Sequence, residues 1–276
     1  MIDQECIAFL QWALPRLDRP WAGYRKVRGL VCKRLGRRLR SLGLPDLAAY
    51  RSRLEAGQTE WKELDAILAI PVSRFCRDRG VFAALESEVL PALARTVLAA
   101  NRTAIGCWSA GCASGEEPYT LSMVWRLRLQ SAFPQLALSI VATDMDATML
   151  KRAEKGCYLA SSLKELAPEL VSVAFERQDG RLCLRPEFRD VKFLRQDLRT
   201  TMPDGPFDLV LCRNVVLTYY SAAVQGEVMA RISERLRPGG ALVIGIHESL
   251  PPDMTQLASW PGARGIFVRL AQMSGN

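Results

Sequence analysis

The sequence contains a single histidine, His247, which excludes a metal site built from two or more histidines. Its eight cysteines, at positions 6, 32, 76, 107, 112, 157, 183 and 212, are scattered and form no C-x-x-C pair, so no metal is implied. No apolar run reaches the roughly 18–20 residues that a membrane span needs. The N-terminus, Met-Ile-Asp-Gln-Glu-Cys, lacks the basic start and apolar core of an export signal. Together these absences predict a cytoplasmic protein without membrane insertion, whose thiols stay reduced.

What is present is an ordinary globular composition, 49% hydrophobic and 24% charged over 276 residues, enough for one large domain or two smaller ones. The net charge of +8 is unevenly spread. Arg25, Lys26, Arg28, Lys33, Arg34, Arg37, Arg38 and Arg40 follow one another with no acid among them. Such a face suits an acidic partner, whether nucleic acid, anionic lipid or an acidic protein surface, and is equally compatible with a merely solvated helix face.

The first seventy residues carry helical periodicity. Helices are expected over 5–17, with Pro15 ending the first early, over 22–42 with Gly43 as the stop, from Pro45 to Leu54, and over 59–69 with Thr59 as a cap. No candidate nucleophile–base pair occurs there, which points to a recognition or support module, domain 1–69. A connector over 70–100 holds Ser73 and Arg77, on one face if this piece is helical, and a helix over about 83–98.

From Ala104 strands and helices alternate, the signature of a parallel α/β sheet, and the second domain is assigned to 70–276. Strands are expected at 104–108, 138–143, 191–197 and 207–214, the last two ending in a polar residue, and at 241–246 and 266–270. A helix is expected over about 221–236 and a turn at 236–240. The rhythm breaks between 159 and 195, where a helix over 163–175 and a turn at Gln178-Asp-Gly180 suggest a β-hairpin insertion.

The densest signal is Trp108-Ser-Ala-Gly-Cys-Ala-Ser-Gly-Glu-Glu-Pro-Tyr119. A strand runs into a turn with Gly111 and Gly115, then a helix opened by Glu116, Glu117 and Pro118. This arrangement gathers backbone N–H groups and a positive helix end at one point, as a nucleotide-like ligand requires, and the carboxylates add acceptors. Asp144, at the tip of the second strand, stands where a ribose is usually held. Each has a plainer reading: Glu117 as a helix N-terminal acid, Asp144 and Asn214 as turn residues, Arg77 as a surface ion pair, and Cys112 and Cys212 as packing.

Taken together, Arg34-Leu-Gly-Arg-Arg-Leu-Arg-Ser-Leu-Gly43, Ser73-Arg-Phe-Cys-Arg-Asp78, the 108–119 dodecapeptide, Ala142-Thr-Asp-Met-Asp146, Gly156-Cys-Tyr158, Gly205-Pro-Phe-Asp-Leu-Val-Leu-Cys-Arg-Asn-Val215 and Leu236-Arg-Pro-Gly-Gly240 resemble the CheR-type chemoreceptor methyltransferases in order and spacing. The resemblance implies a small helical domain followed by a class I (Rossmann-like) methyltransferase domain with a β-subdomain insertion. It also implies S-adenosylmethionine as cofactor and receptor glutamates as acceptors. Carried over motif by motif, Glu117 would bind the methionine amino group beside Gly111, and Asp144 the ribose hydroxyls. Asp197 and Leu198 would flank the adenine, and Asn214 and Val215 would line the sulfonium side. Ser73 and Arg77 would close over the carboxylate, with Arg77 and Asn214 as the positioning residues of catalysis. Arg34, Arg37, Arg38 and Arg40 would dock an acidic helical region of a chemoreceptor-like protein; nucleic acid is not expected as a partner.

Three departures from the family pattern bear on the acceptor. Val216-Leu-Thr218 stands where the family has a tyrosine, with Tyr219 and Tyr220 following. Gly-His-Ser-Glu becomes Gly245-Ile-His-Glu248, shifting the histidine by one. The hairpin at 178–180 is short and lacks a glycine-rich loop, so tethering through a receptor pentapeptide is not expected. The alternatives are a related methyltransferase with another protein or small-molecule acceptor held near Tyr219, Tyr220 and His247, and a non-catalytic module that senses cofactor or binds nucleic acid.

Overall fold

The computed structural model describes residues 3–271. Two compact units divide the chain: one runs to Ile70 and takes in Thr218–Val224, the other holds Pro71–Leu217 and the chain from Gln225 onward.

The helical unit contains α1 (Asp3–Ala13), α2 (Trp21–Tyr24), α3 (Arg28–Leu42), α4 (Leu47–Ala56) and α5 (Thr59–Leu68). Pro15 sits in a 3-10 turn, Leu14–Leu17, that ends α1. The helix expected over 22–42 is broken between α2 and α3, where Val27 leaves helical geometry and its N–H returns only to the Tyr24 carbonyl. In α3 the buried Val31, Leu35 and Leu39 recur every four residues, which turns one stripe into the core and leaves Lys33, Arg37 and Arg40 outward. Gly43, at φ 65°, closes α3 in the left-handed conformation that favours glycine. Asp46 caps α4 by accepting the Ala49 N–H. Thr59 does not cap α5: it is already the first helical residue, behind Gln58, which makes no side-chain cap.

Within this unit Gly23 admits the returning segment, because a Cβ there would collide with the Thr218 carbonyl oxygen. The Ser221 N–H donates to the Asp18 carbonyl, and the buried Arg19 donates to Asp65 and the Tyr24 hydroxyl while lying over the Tyr220 ring.

The second unit begins with an extended connector, then α6 (Arg79–Ala84) and α7 (Leu90–Ala99), joined by a π turn at Leu85–Val89. Pro91, which has no N–H and crowds the carbonyl four residues before it, explains the widened turn. There follow β1 (Ala104–Ala110), α8 (Glu116–Val124), β2 (Ala137–Asp144), α9 (Ala147–Lys155), β3 (Cys157–Tyr158), α10 (Pro168–Ala174), β4 (Phe175–Gln178), β5 (Arg181–Leu184), β6 (Lys192–Arg195), β7 (Phe207–Leu211), α11 (Val216–Tyr219), α12 (Ala222–Glu234), β8 (Leu236–Val243), β9 (Leu257–Ser259) and β10 (Ile266–Arg269). α10 is shorter than expected because Pro168 opens it. The turn expected at 236–240 is absorbed into β8, whose register with β7 shifts between Phe207 and Leu209.

The main sheet has the order β6-β2-β1-β7-β8-β10-β9, parallel through β8 and antiparallel at β10 and β9. All five residues of β7 are buried, as a central parallel strand requires. One core joins Phe82, Leu93 and Val97 to Ile105, Leu209 and Val243 across the sheet. Because β2 and β6 lie on one side of β1 and β7 on the other, strand order reverses between β1 and β7. In open α/β sheets that crevice, at the carboxyl ends, is where ligands bind.

The insertion is a separate sheet, β3-β5-β4. Asp179 and Gly180, both at positive φ, form the two-residue turn between Gln178 and Arg181. One expectation fails here and in the helical unit: four cysteines are not free thiols. Cys6 in α1 is bonded to Cys32 in α3, and Cys157 to its cross-strand partner Cys183. Spacing in the sequence hides both pairs, since each joins residues 26 positions apart that only the fold brings together.

Candidate functional site

Glu117 follows β1, Asp144 ends β2, Asp197 follows β6 and Asn214 follows β7. In the order β6-β2-β1-β7 these are neighbouring strands, so the fold brings these four polar residues to one edge of the sheet.

The turn after β1 is close-packed. Gly111 and Gly115 have φ of 77° and 88°; a Cβ on Gly111 would stand 3.0 Å from the Val215 side chain, and one on Gly115 2.9 Å from Ala153. Both Gly111 N–H and Cys112 N–H donate to the Thr143 carbonyl, which ties this turn to the end of β2. Asp144 Oδ2 accepts the Ala113 N–H at 2.8 Å and Oδ1 the Asp146 N–H at 2.9 Å. Burial raises the Asp144 carboxyl above its ordinary pKa, and these backbone donors oppose the rise. Each of its oxygens accepts one of these bonds, and the Met145 backbone adds a further donor to the carboxylate.

Glu117 Oε1 accepts from Ser109 Oγ at 2.7 Å, and Oε2 from Arg213 Nη1 at 3.1 Å. Its neighbour Glu116 is buried and accepts from Ser114 and from Ser73. Burial pushes the Glu116 carboxyl up. Asp197 pairs with Arg199, whose guanidinium reaches both its oxygens, and the adjacent Leu198 is buried. Asn214 adopts φ 55°, a left-handed conformation that asparagine tolerates. Glu248 braces it, with Oε2 accepting the N–H groups of Asn214 at 2.9 Å and Gly245 at 2.7 Å.

The connector differs from expectation. Residues 71–78 are not helical, so Ser73 and Arg77 do not share a helix face. Arg77 donates to the Val72 carbonyl at 2.9 Å, and its own carbonyl accepts from Arg213 Nη2. Cys76 and Asp78, on either side of Arg77, both have positive φ.

In the helical unit the four docking arginines divide into two kinds. Arg34 donates to the carbonyls of Ile67 and Ala69, and Arg38 donates through two nitrogens to Glu60. Both therefore brace the unit. Lys33, Arg37 and Arg40 are exposed and lie on one face of α3. Tyr219 packs against Tyr24, Tyr220 is buried against Arg19, and His247 is exposed. Neither tyrosine belongs to the unit that carries the strand-end residues.

The residues missed in the sequence are Arg213, Asp78, Ser109 and Glu248. All but Ser109 carry a charge that the fold pairs with a group far along the chain. Asp78 and Arg213 lie inside motifs noticed for other residues.

Comparisons with known proteins agree with this geometry. The profile described as "CheR methyltransferase, SAM binding domain" matches residues 71–265. The chain is 35% identical over 189 residues to the chemotaxis protein methyltransferase of Listeria monocytogenes, covering 68% of this chain and 69% of that one. It is 34% identical over 238 residues to chemotaxis protein methyltransferase 1 of Pseudomonas aeruginosa, covering 83% and 85%. The corresponding protein of Escherichia coli is 33% identical over 232 residues, covering 80% and 77%. With the strand-end carboxylates, the glycine turn and a matched profile over most of its length, the chain belongs to the CheR methyltransferase family.

Proposed function

We propose that this chain transfers a methyl group from S-adenosylmethionine to glutamate side chains in an acidic helical region of a chemoreceptor-like protein, without pentapeptide tethering. The observation that carries the reading is the row of acceptors at the ends of β6, β2, β1 and β7. Glu117, Asp144 and Asp197 offer oxygens to an ammonium, a pair of hydroxyls and an aromatic amine, the groups this cofactor presents. The tight approach of Gly111 to Val215 leaves the chain no room for a side chain in the turn between them.

In this reading Glu117 takes the ammonium and Asp144 the ribose hydroxyls. Asp197 and Leu198 hold the adenine, and Asn214 and Val215 line the side of the sulfonium. Ser73 and Arg77 take the carboxylate by exchanging their present partners, the Glu116 carboxylate and the Val72 carbonyl. The cofactor, when bound, supplies a methyl group already activated by the positive sulfur. A glutamate acceptor is ionised at neutral pH, so the chain needs no general base; Arg77 and Asn214 serve by position.

The exposed Lys33, Arg37 and Arg40 present an acid-seeking stripe on α3, which supports an acidic helix as the docking partner. The two-residue turn at Asp179-Gly180 supports independence from a tail peptide. The test is methyl transfer from labelled cofactor to chemoreceptor cytoplasmic fragments that lack any C-terminal tail. Base-labile label on glutamates is expected. Absence of base-labile label on every fragment would sink the reading.

A further inference from the structure

Arg213 sits just beyond β7, at the β1/β7 reversal, and its side chain is only 3% exposed. Its guanidinium joins three elements. Nη1 donates to Glu117 Oε2 at 3.1 Å, at the start of α8. Nη2 donates to Asp78 Oδ2 at 2.7 Å and to the Arg77 carbonyl at 2.8 Å, both in the connector. The Phe82 ring lies 5.5 Å from its central carbon, and Nε is buried without a partner.

Two features show that this is more than packing. The first is charge. One guanidinium faces two carboxylates, Asp78 and Glu117, with side chains 22% and 14% exposed, and a single positive charge cannot neutralise both. A ligand ammonium at Glu117 would complete the balance. The second is backbone geometry. Cys76 and Asp78 hold left-handed conformations on either side of Arg77, with φ of 53° and 63°, an arrangement that costs energy unless neighbours fix it. The Cys76 N–H donates to Thr120 Oγ1 on α8, and Arg213 fixes the other end.

We propose that Arg213 is a positioning residue for the amino-acid end of the cofactor. It orients Glu117 toward the ammonium and locks the connector beside it, so that recognising the ammonium and ordering the connector are one event. This rests on the cofactor-site reading above.

The test compares two ligands by calorimetry. S-adenosylhomocysteine carries the amino-acid end, whereas 5′-methylthioadenosine keeps adenine, ribose and thioether but lacks it. Arg213→Gln is expected to weaken S-adenosylhomocysteine about ten- to hundredfold, the scale of charge-assisted hydrogen bonds, and 5′-methylthioadenosine by no more than about twofold. Asp78→Asn, which leaves Arg213 and Glu117 in place, should show a smaller loss with the same selectivity, and it carries the test if Arg213→Gln does not fold. Equal weakening of both ligands, or no weakening of S-adenosylhomocysteine, overturns the proposal. If the wild type binds neither ligand, the cofactor-site reading falls first and this inference with it.

Discussion

Glu60 shows how far a residue's meaning depends on partners that the sequence does not display. It lies in the first turn of α5, yet it is buried and accepts two bonds from Arg38 and one from the Tyr50 hydroxyl. The Arg38 hydrogen bonds hold its carboxyl below the ordinary value of 4.5. A carboxylate depressed in this way contributes stability that is present above its unfolded pKa and lost as pH falls through its folded one. Glu60→Gln should therefore lower the stability of the helical unit by about 2 kcal/mol at pH 7, and the gap from wild type should narrow as the pH is taken below 4.5, the ordinary carboxylate value. Thermal unfolding on either side of that value measures it, and a gap that persists in acid would show that the ion pair is not the cause. The same pairing explains why the basic run could not be apportioned from sequence. Arg34 and Arg38 look like Arg37 and Arg40 until their carbonyl and carboxylate partners, some 20 to 35 positions away, are known. Glu117 and Asp144 were legible because the turn and the strand end that expose them are local patterns. Arg213 and Glu248 were not, because their roles are contacts between strand ends.

Among the elements, most strands and most helices follow directly from local periodicity, whereas the three-residue β9 (Leu257–Ser259) was not anticipated. Pro91 widens one turn of the helix it enters, and Pro168 shortens α10. The β-subdomain was legible as a hairpin because Asp-Gly is a strong two-residue turn signal. Its cystine was not, because Cys157 and Cys183 meet only once β3 pairs with β5. Thiol titration tests both cystines. The unfolded, unreduced chain should react at the four free cysteines, 76, 107, 112 and 212, and at eight after reduction. Each bond closes a separation of 26 residues, so its loss should cost about 3 kcal/mol on the chain-entropy estimate. Eight reactive thiols before reduction would contradict the pairing. In the native state Cys107, Cys112 and Cys212 should react slowly, because burial raises their pKa values and suppresses the thiolate.

For the whole molecule the two units divide the work in this account. The α/β unit carries the strand-end acceptors for the cofactor, and α3 of the helical unit carries the stripe for the acceptor protein. The α/β pattern made the first legible, because an open parallel sheet places its ligand at the strand order reversal whatever the side chains do elsewhere. Nothing comparable points to the acceptor. Charge alone narrows it to something acidic, and Thr218, Tyr219 and Tyr220, the candidates near the sulfonium side, fall within the helical unit, where Tyr219 packs on its core and Arg19 lies over Tyr220. The division makes a sharp demand on kinetics. The deciding measurement is the steady-state rate of methyl transfer to a receptor cytoplasmic fragment by wild type and by Arg37→Glu/Arg40→Glu, with cofactor and acceptor varied in turn. The account predicts that the acceptor KM rises by about tenfold or more and loses its salt dependence, while the cofactor KM stays within about twofold. A cofactor KM that rises in step with the acceptor KM, or an acceptor KM that does not move, would contradict it.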